Sequence, residues 1–276
     1  VKLKGEHVAR VIDVGVLETG APYMVMEYLE GEDLSNALMK RGPLPFAEVA
    51  EYIIQACDAL AEAHSLGIVH RDLKPANLFL THRQDGSPLI KLLDFGISKA
   101  SAVTDTGLNM TKTTAMMGSP LYMSPEQMKS ARDVDSRSDI WSFGVVMYEL
   151  LSGRVPFEAE TLGALFAAVM TEPHAPVQTF RPDVPPPFAI LINKCLEKRV
   201  DSRCANVAEV AMGLAPFCPP RTLATIDRIA TITQGKNAPR DPGSSQNIRL
   251  PSQSYAELAA SQGAAASAPP AGASTG

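Results

Sequence analysis

The sequence lacks an excess of positive charge, which argues against a protein that recognises nucleic acid through its phosphates. Its 276 residues include 25 Lys and Arg against 30 Asp and Glu, so the formal net charge is -5. No cluster of Lys and Arg indicates a membrane-binding surface either. We therefore expect no nucleic acid among the partners of this protein.

Cysteines are few, and long apolar runs are missing. The four cysteines form no Cys-x-x-Cys pair and have no histidine at zinc-ligand spacing, which is typical of reduced thiols in a cytoplasmic protein. No signal peptide is visible, and the most apolar run, residues 140–151, is too short to span a bilayer. We expect a cytoplasmic location and no membrane segment in this stretch of chain.

The most informative stretch is residues 70–94, where a polar loop precedes two short apolar segments. Residues 70–77 read His-Arg-Asp-Leu-Lys-Pro-Ala-Asn, and the apolar segments on either side of the next polar turn predict the arms of a β-hairpin. In an antiparallel hairpin the start of the first arm and the end of the second lie side by side. The sequence therefore predicts that Asn77 and Asp94 meet, with Asp72 close by.

These side chains suit phosphoryl transfer. An amide and a carboxylate with room for further oxygens match Mg²⁺, which prefers octahedral oxygen coordination and keeps waters or phosphates as its other ligands. Lys74 adds a positive charge beside Asp72. Phosphoryl transfer needs a carboxylate that orients a hydroxyl nucleophile, metal ligands that hold the phosphates, and a cation for the developing charge.

The loop, the hairpin and the Asp94-Phe95-Gly96 sequence that follows resemble the eukaryotic-like serine/threonine protein kinases of bacterial type. The match fixes about seven letters in order, so coincidence is negligible. The resemblance implies an α+β fold with two lobes, in which the large lobe is mainly α-helical. It implies transfer of the γ-phosphate of ATP to Ser or Thr hydroxyls of proteins, with Mg²⁺.

The resemblance also implies a domain organisation. Residues 1–29 would hold only the last strands of the small lobe and the hinge, and residues 30–218 would form the large lobe. From about residue 221 the composition shifts to Ala, Ser, Pro, Gly and Gln, which predicts a disordered linker or tail over residues 219–276, with no more than transient helices over residues 222–232 and 255–260.

Local patterns predict the secondary structure around the loop. Val- and Ile-rich segments predict two strands, and helical spacing of apolar residues predicts a series of helices. Ser136 has the spacing of a helix N-cap, with Asp139 at the third helical position. The strands are expected over residues 8–16 and 23–28, and helices over residues 46–65, 162–170, 188–196 and 206–214.

Roles for the site residues follow from the resemblance. Asp72 would orient the substrate hydroxyl, Lys74 would stabilise the transferring phosphoryl group, and the amide of Asn77 would hold magnesium. Asp94 would bind magnesium together with ATP. The adenine and ribose would contact the hinge and its neighbours, namely Met26, Glu27, Leu29, Asp33 and Phe79.

Regulation by phosphorylation is implied as well. Arg71 directly precedes the catalytic carboxylate, and residues 97–123 are polar and rich in threonine. A phosphate on Thr111 or Thr113, with Thr114 as a third candidate, would pair with Arg71. Self-association would allow one molecule to phosphorylate another. The alternative is that these threonines are merely solvated loop residues.

Residues 118–126 resemble the substrate-docking loop of these kinases. Ser119 lies where a hydroxyl residue bonds to the catalytic Asp and Lys, and Glu126 would pair with Arg203 in a buried ion pair. Asp139 would reach back to the backbone of the catalytic loop. Lys74 and this loop together imply serine/threonine specificity.

Part of the family pattern is absent from this sequence. No Gly-x-Gly-x-x-Gly precedes the first strand, and neither the strand lysine nor the helix glutamate of the family's ion pair can be assigned. The chain is therefore expected to start inside the domain and to be inactive alone. Two alternatives remain open: a pseudokinase or scaffold, and a small-molecule phosphotransferase of related fold, against which the docking loop argues.

Overall fold

The computed structural model describes residues 3–94, 120–130 and 134–235. Within these ranges two small sheets lie beside a mainly helical body. Strands β1 (Val11–Val16) and β2 (Pro22–Met26) pair antiparallel across a turn in which Gly20 has φ 83°. Such a positive φ is readily reached only by glycine.

The second sheet contains the predicted hairpin. Strands β3 (Glu32–Asp33), β4 (Leu78–His82) and β5 (Pro88–Leu92) pair antiparallel in that order. The predicted hairpin is thus present, with Leu78 opposite Leu92. The first strand begins at Val11 rather than at residue 8, because residues 7–9 pair with Leu92 instead: Ala9 N donates to Leu92 O, and Leu92 N donates to His7 O.

The helical body contains two long helices that are buried on nearly every side. Most of their side chains are inaccessible to solvent, including Trp141 and Phe143. None of the helices in the described ranges has both the length and the apolar composition that a membrane crossing requires. The helices are α1 (Leu34–Arg41), α2 (Phe46–Ser65), α3 (Pro125–Lys129), α4 (Arg137–Ser152), α5 (Leu162–Thr171), α6 (Pro186–Cys195), α7 (Val207–Leu214) and α8 (Leu223–Gln234).

The beginning of α4 differs from the prediction. Ser136 itself has helical angles, φ -59° and ψ -20°, and its side chain makes no cap hydrogen bond. The preceding Asp135 accepts the Arg137 N–H instead, at 2.8 Å. At the end of α4, Gly153 has φ 72° and its N–H donates to Glu149 O, a conformation that favours glycine.

The C-terminal boundary expected at residue 218 lies too early. Helix α8 packs against α2 and buries Ile226 and Ile229. Arg221 pairs with Glu51, and Arg228 pairs with Asp58. Both pairs join residues 170 positions apart, so the two helices run parallel across this contact. The sequence predicted only a transient helix over residues 222–232 in a disordered tail, whereas the helix is packed. Residues 236–276 lie outside the described residues.

Candidate active site

The catalytic-loop residues are brought together within one hydrogen-bonded turn. Lys74 Nζ lies 3.0 Å from Asp72 Oδ2, and Asn77 Nδ2 donates to Asp72 O at 2.7 Å. The short 3₁₀ helix Pro75–Asn77 sets this geometry, because Asn77 N donates to Lys74 O at 2.9 Å. The side chains proposed for hydroxyl orientation and charge stabilisation are therefore adjacent.

The hairpin adds Asp94 to this group. Leu93 N donates to Asn77 O at 2.9 Å, which holds the end of β5 against the start of β4. Asp94 follows directly. Among the described non-glycine residues, positive φ values occur at Arg71 (65°) and Asp94 (50°). Such conformations cost about 1–3 kcal/mol each and are concentrated at functional sites.

The donor set fits magnesium. The Nδ2 donor of Asn77 is committed to Asp72 O, so the amide oxygen is the atom of this side chain that a cation would bind. The Asp94 carboxylate supplies a second hard oxygen ligand. The described residues hold no group of three His, Cys, Asp or Glu side chains placed for a metal. A site with only one or two protein ligands is normal for Mg²⁺, because this ion is usually bound by one or two carboxylates and by substrate phosphates.

Asp139 anchors the loop from the helical body, as expected. Its buried carboxylate accepts the backbone N–H groups of His70 and Arg71, each at 2.9 Å. It also lies 2.7 Å from His64 Nε2. Sequence reasoning missed this contact, because a contact between two separate helices leaves no local pattern in the sequence.

His70 ties the loop to the end of the hairpin. Burial lowers the pKa of His70, and the neighbouring Asp139 and the Leu93 carbonyl only partly offset this effect. A neutral imidazole donates from one nitrogen and accepts at the other. Nε2 lies 2.8 Å from Leu93 O and is the donor, which leaves Nδ1 to accept the Asp72 N–H at 3.3 Å.

The hinge residues lie beside the hairpin. Asp33 is opposite Phe79 in the β3–β4 register. The Glu27 carboxylate accepts hydrogen bonds from Lys91 Nζ and Arg10 N, both at 2.9 Å. Partial burial opposes ionisation of Glu27, but these bonds outweigh it and lower its pKa. Met26 and Leu29 are half-buried.

Asp33 has a structural task in addition to the predicted ribose contact. It is the N-cap of α1, and its carboxylate accepts Asn36 N at 2.9 Å and Asn36 Nδ2 at 2.6 Å. Both carboxylate oxygens are thus occupied by Asn36. A ribose hydroxyl would have to share these oxygens.

A cavity of about 1110 Å³ lies between the N-terminal segment, β1–β2 and the hairpin. Met26, Glu27 and Asp94 line it, but Asp72 and Asn77 do not. The cavity therefore reaches the candidate metal site from the strand side. It does not contain the residues proposed to meet the substrate hydroxyl.

The docking segment is fixed to the helical body by a buried ion pair. Arg203 donates to both carboxylate oxygens of Glu126, at 2.6 and 2.7 Å, and Ser138 Oγ donates to Oε1 at 2.6 Å. Burial opposes ionisation of Glu126, but the bonds from Arg203 and Ser138 outweigh it and lower its pKa to about 2. The expected pairing of these two residues is therefore present.

Sequence reasoning missed the residue that follows Glu126. Gln127 forms a capping box with Ser124 at the start of α3, and it also donates from Nε2 to Arg71 O at 3.0 Å. The Ser-x-x-Gln spacing is a recognisable capping signal. The contact with the catalytic loop has no such signal. Three predicted site residues, Thr111, Thr113 and Ser119, lie outside the described residues, as do Phe95, Gly96 and Thr114.

Comparison with known proteins identifies the family. Residues 1–213 match the model of the protein kinase domain, and the chain belongs to this family. Helix α8 lies beyond the matched residues.

Curated relatives are bacterial proteins named as serine/threonine kinases. The chain is 37% identical over 198 residues to serine/threonine-protein kinase pkn3 of Myxococcus xanthus, covering 71% of this chain and 36% of that protein. It is 36% identical over 259 residues to PknB of Mycolicibacterium smegmatis, covering 87% of this chain and 40% of that protein. The chain thus spans well under half the length of these relatives.

The fold also matches a solved structure. The kinase domain of PknI from Mycobacterium tuberculosis, crystallised as a double mutant, superposes with a TM-score of 0.58 at 25% sequence identity. The match covers 78% of this chain and 73% of that one. This likeness agrees with the α+β kinase fold expected from the sequence.

Proposed function

We propose that the protein is a serine/threonine protein kinase that transfers the γ-phosphate of ATP to hydroxyl groups of proteins, with Mg²⁺ as the bound cation. The observation that carries this proposal is the hydrogen-bonded group of Asp72, Lys74 and Asn77, held next to Asp94 by the hairpin. Membership of the protein kinase family supports the same reaction.

Each side chain has a chemical task in this proposal. The Asp72 carboxylate accepts a hydrogen bond from the substrate hydroxyl and orients its oxygen towards the γ-phosphorus. The new P–O bond forms as the bond to the β,γ-bridging oxygen breaks, ADP leaves, and the hydroxyl proton passes to Asp72. Lys74 stabilises charge on the transferring group. When bound by Asn77 and Asp94, Mg²⁺ neutralises charge on the phosphates.

The adenine is proposed to meet the hinge between Met26 and Leu29, with Phe79 beneath the ring. A ribose hydroxyl that contacts Asp33 would share the carboxylate oxygens with Asn36, which they cap at the start of α1. We propose that the reaction takes place in the cytoplasm. The four cysteines form no disulfide in the described residues, and thiols stay reduced in that compartment.

Regulation is proposed to act through Arg71. Its side chain is exposed at the loop, so a phosphate on Thr111 or Thr113 would find an accessible guanidinium. Self-association would bring one molecule's threonines to the active site of another.

The Asp72→Asn variant tests the function. In the full-length protein, with labelled ATP and a casein-type acceptor, we expect transfer to fall by a factor of about 100 or more, because the hydroxyl loses its acceptor carboxylate. Nucleotide affinity should stay within about twofold of wild type. Asp85→Asn, the same change in the exposed hairpin turn, is the matched control. Equal turnover in the Asp72 variant would refute the assigned role.

The choice of phosphate acceptor, protein or small molecule, discriminates between the two enzyme classes. Incubation of the wild-type protein with an aminoglycoside in place of the protein should give no labelled product. Labelling of the aminoglycoside but not of the protein would instead support a small-molecule phosphotransferase.

A further inference from the structure

One hydrogen bond between helix α3 and the catalytic loop is not explained by any of the roles assigned above. Gln127 of α3 donates through Nε2 to Arg71 O at 3.0 Å. Arg71 directly precedes Asp72. We propose that Gln127 is a positioning residue for phosphoryl transfer, which holds the Arg71–Asp72 peptide so that the Asp72 carboxylate faces the substrate hydroxyl. This inference rests on the proposed function.

The Arg71–Asp72 peptide is held at both of its polar atoms. Its carbonyl accepts from Gln127, and its N–H, which belongs to Asp72, donates to His70 Nδ1 at 3.3 Å. Because a peptide unit is planar, fixing its C=O and N–H fixes the orientation of the whole unit. The position of the Asp72 Cα is then fixed as well, and the side chain can turn only about the N–Cα bond and its own torsions.

The orientation of the Gln127 amide is itself determined. Its Oε1 accepts Ser124 N at 3.0 Å and Ser124 Oγ at 3.1 Å, and Gln127 N donates to Ser124 Oγ at 3.3 Å. Since the amide oxygen faces the Ser124 N–H, the nitrogen must face Arg71 O. The adjacent Glu126 is bonded to Arg203, so the helix that carries Gln127 is anchored to the body.

The backbone conformation of Arg71 has to be enforced by its surroundings, and the hydrogen bond from Gln127 is one of the contacts that enforce it. Arg71 has φ 65°, a left-handed conformation that persists only where its surroundings enforce it. Asp139 holds the N–H of Arg71 at 2.9 Å, and Gln127 holds its carbonyl. Without the Gln127 donor the peptide is held only through its N–H, and the carbonyl and the following residue gain freedom to move.

Two substitutions separate the donor from other properties of Gln127. Gln127→Glu keeps an oxygen acceptor for Ser124 but lacks the donor, and Gln127→Met lacks both without adding charge. Asn206→Ala is the control. It removes the side chain that caps α7 by accepting Glu209 N at 3.1 Å, a contact that does not involve the catalytic loop. Loss of the Gln127 part of the α3 capping box and loss of the Asn206 cap of α7 are expected to lower helix stability by similar amounts.

Steady-state kinetics on the full-length protein provide the first readout. Both Gln127 variants should lower kcat about tenfold, which corresponds to about 1.4 kcal/mol and is within the range of one hydrogen bond. KM for ATP should stay within about twofold, because the nucleotide contacts are intact. Asn206→Ala should leave both kcat and KM within about twofold of wild type.

Amide hydrogen exchange at Asp72 provides a second readout that needs no catalysis. Exchange should be about tenfold faster in both Gln127 variants, since the peptide is held at one atom only, and unchanged in Asn206→Ala. Unchanged kcat and unchanged exchange in Gln127→Met would overturn the proposal. A loss of kcat in Gln127→Glu but not in Gln127→Met would also overturn the proposal, because the added negative charge would then explain the loss.

Equal losses of kcat in Asn206→Ala and the Gln127 variants would also overturn the positioning role, since they would reflect stability alone. Full-length wild-type protein that transfers no phosphate would overturn the proposed function instead. Exchange at Asp72 would then still decide whether Gln127 holds the loop.

Discussion

Replacing Arg203 by methionine should strongly destabilise the fold. The Arg203 side chain is fully buried, and Glu126 is 13% exposed. Besides its two bonds to Glu126, Arg203 donates to Glu197 O at 2.8 Å and to Arg137 O at 3.1 Å. Arg203→Met leaves the carboxylate with Ser138 as its remaining side-chain donor. Breaking a buried pair on one side costs about 3–5 kcal/mol.

Urea unfolding followed by circular dichroism measures this cost. With a slope of about 2 kcal/mol per M, the midpoint should fall by about 1.5–2.5 M. Arg41→Met is the matched control, because Arg41 also donates twice to one carboxylate, at 2.9 and 2.8 Å, but at an exposed site. It should cost at most about 1 kcal/mol. An Arg203→Met cost as small as that of Arg41→Met would refute the reasoning.

The remaining predictions concern pH and the C-terminal helix. The folded-state pKa of Glu126 is about 2, below its ordinary value of 4.5, so the pair's stabilisation is present above pH 4.5 and lost as the pH falls towards 2. Unfolding titrations should show this acid dependence in wild type and a weaker one in Arg203→Met, and equal dependence would contradict the assignment. Arg228→Ala should cost about 1–3 kcal/mol in urea, because it leaves the buried Asp58 carboxylate without its arginine partner. Adding Asp58→Asn should recover part of that loss, and a further loss would contradict the pairing.

The hairpin geometry was predictable because its determinants are local. The turn residues and the two apolar arms specify antiparallel pairing, and antiparallel pairing alone places Asn77 beside the residue before Asp94. The Glu126–Arg203 pair joins distant parts of the chain. It could be foreseen only through the family resemblance.

Other contacts could not be predicted, for physical reasons. The bond between Gln127 and Arg71 O depends on how α3 packs against the loop, which no local spacing encodes. The contact of His64 with Asp139 joins two separate helices in the same way. Helix α8 was predicted only as a transient helix, because its stability comes from ion pairs and apolar contacts with α2, whereas composition reports only average hydrophobicity.

The central claim is that Asn77 and Asp94 form a magnesium and nucleotide site beside Asp72, and calorimetric titration of ATP tests it most directly. Wild-type protein should bind ATP more tightly with Mg²⁺ than without, and Asp72→Asn should keep this difference. Asp94→Asn should lose it, because one of the two proposed protein ligands becomes a neutral amide. A magnesium-dependent gain in affinity that survives Asp94→Asn unchanged would contradict the account.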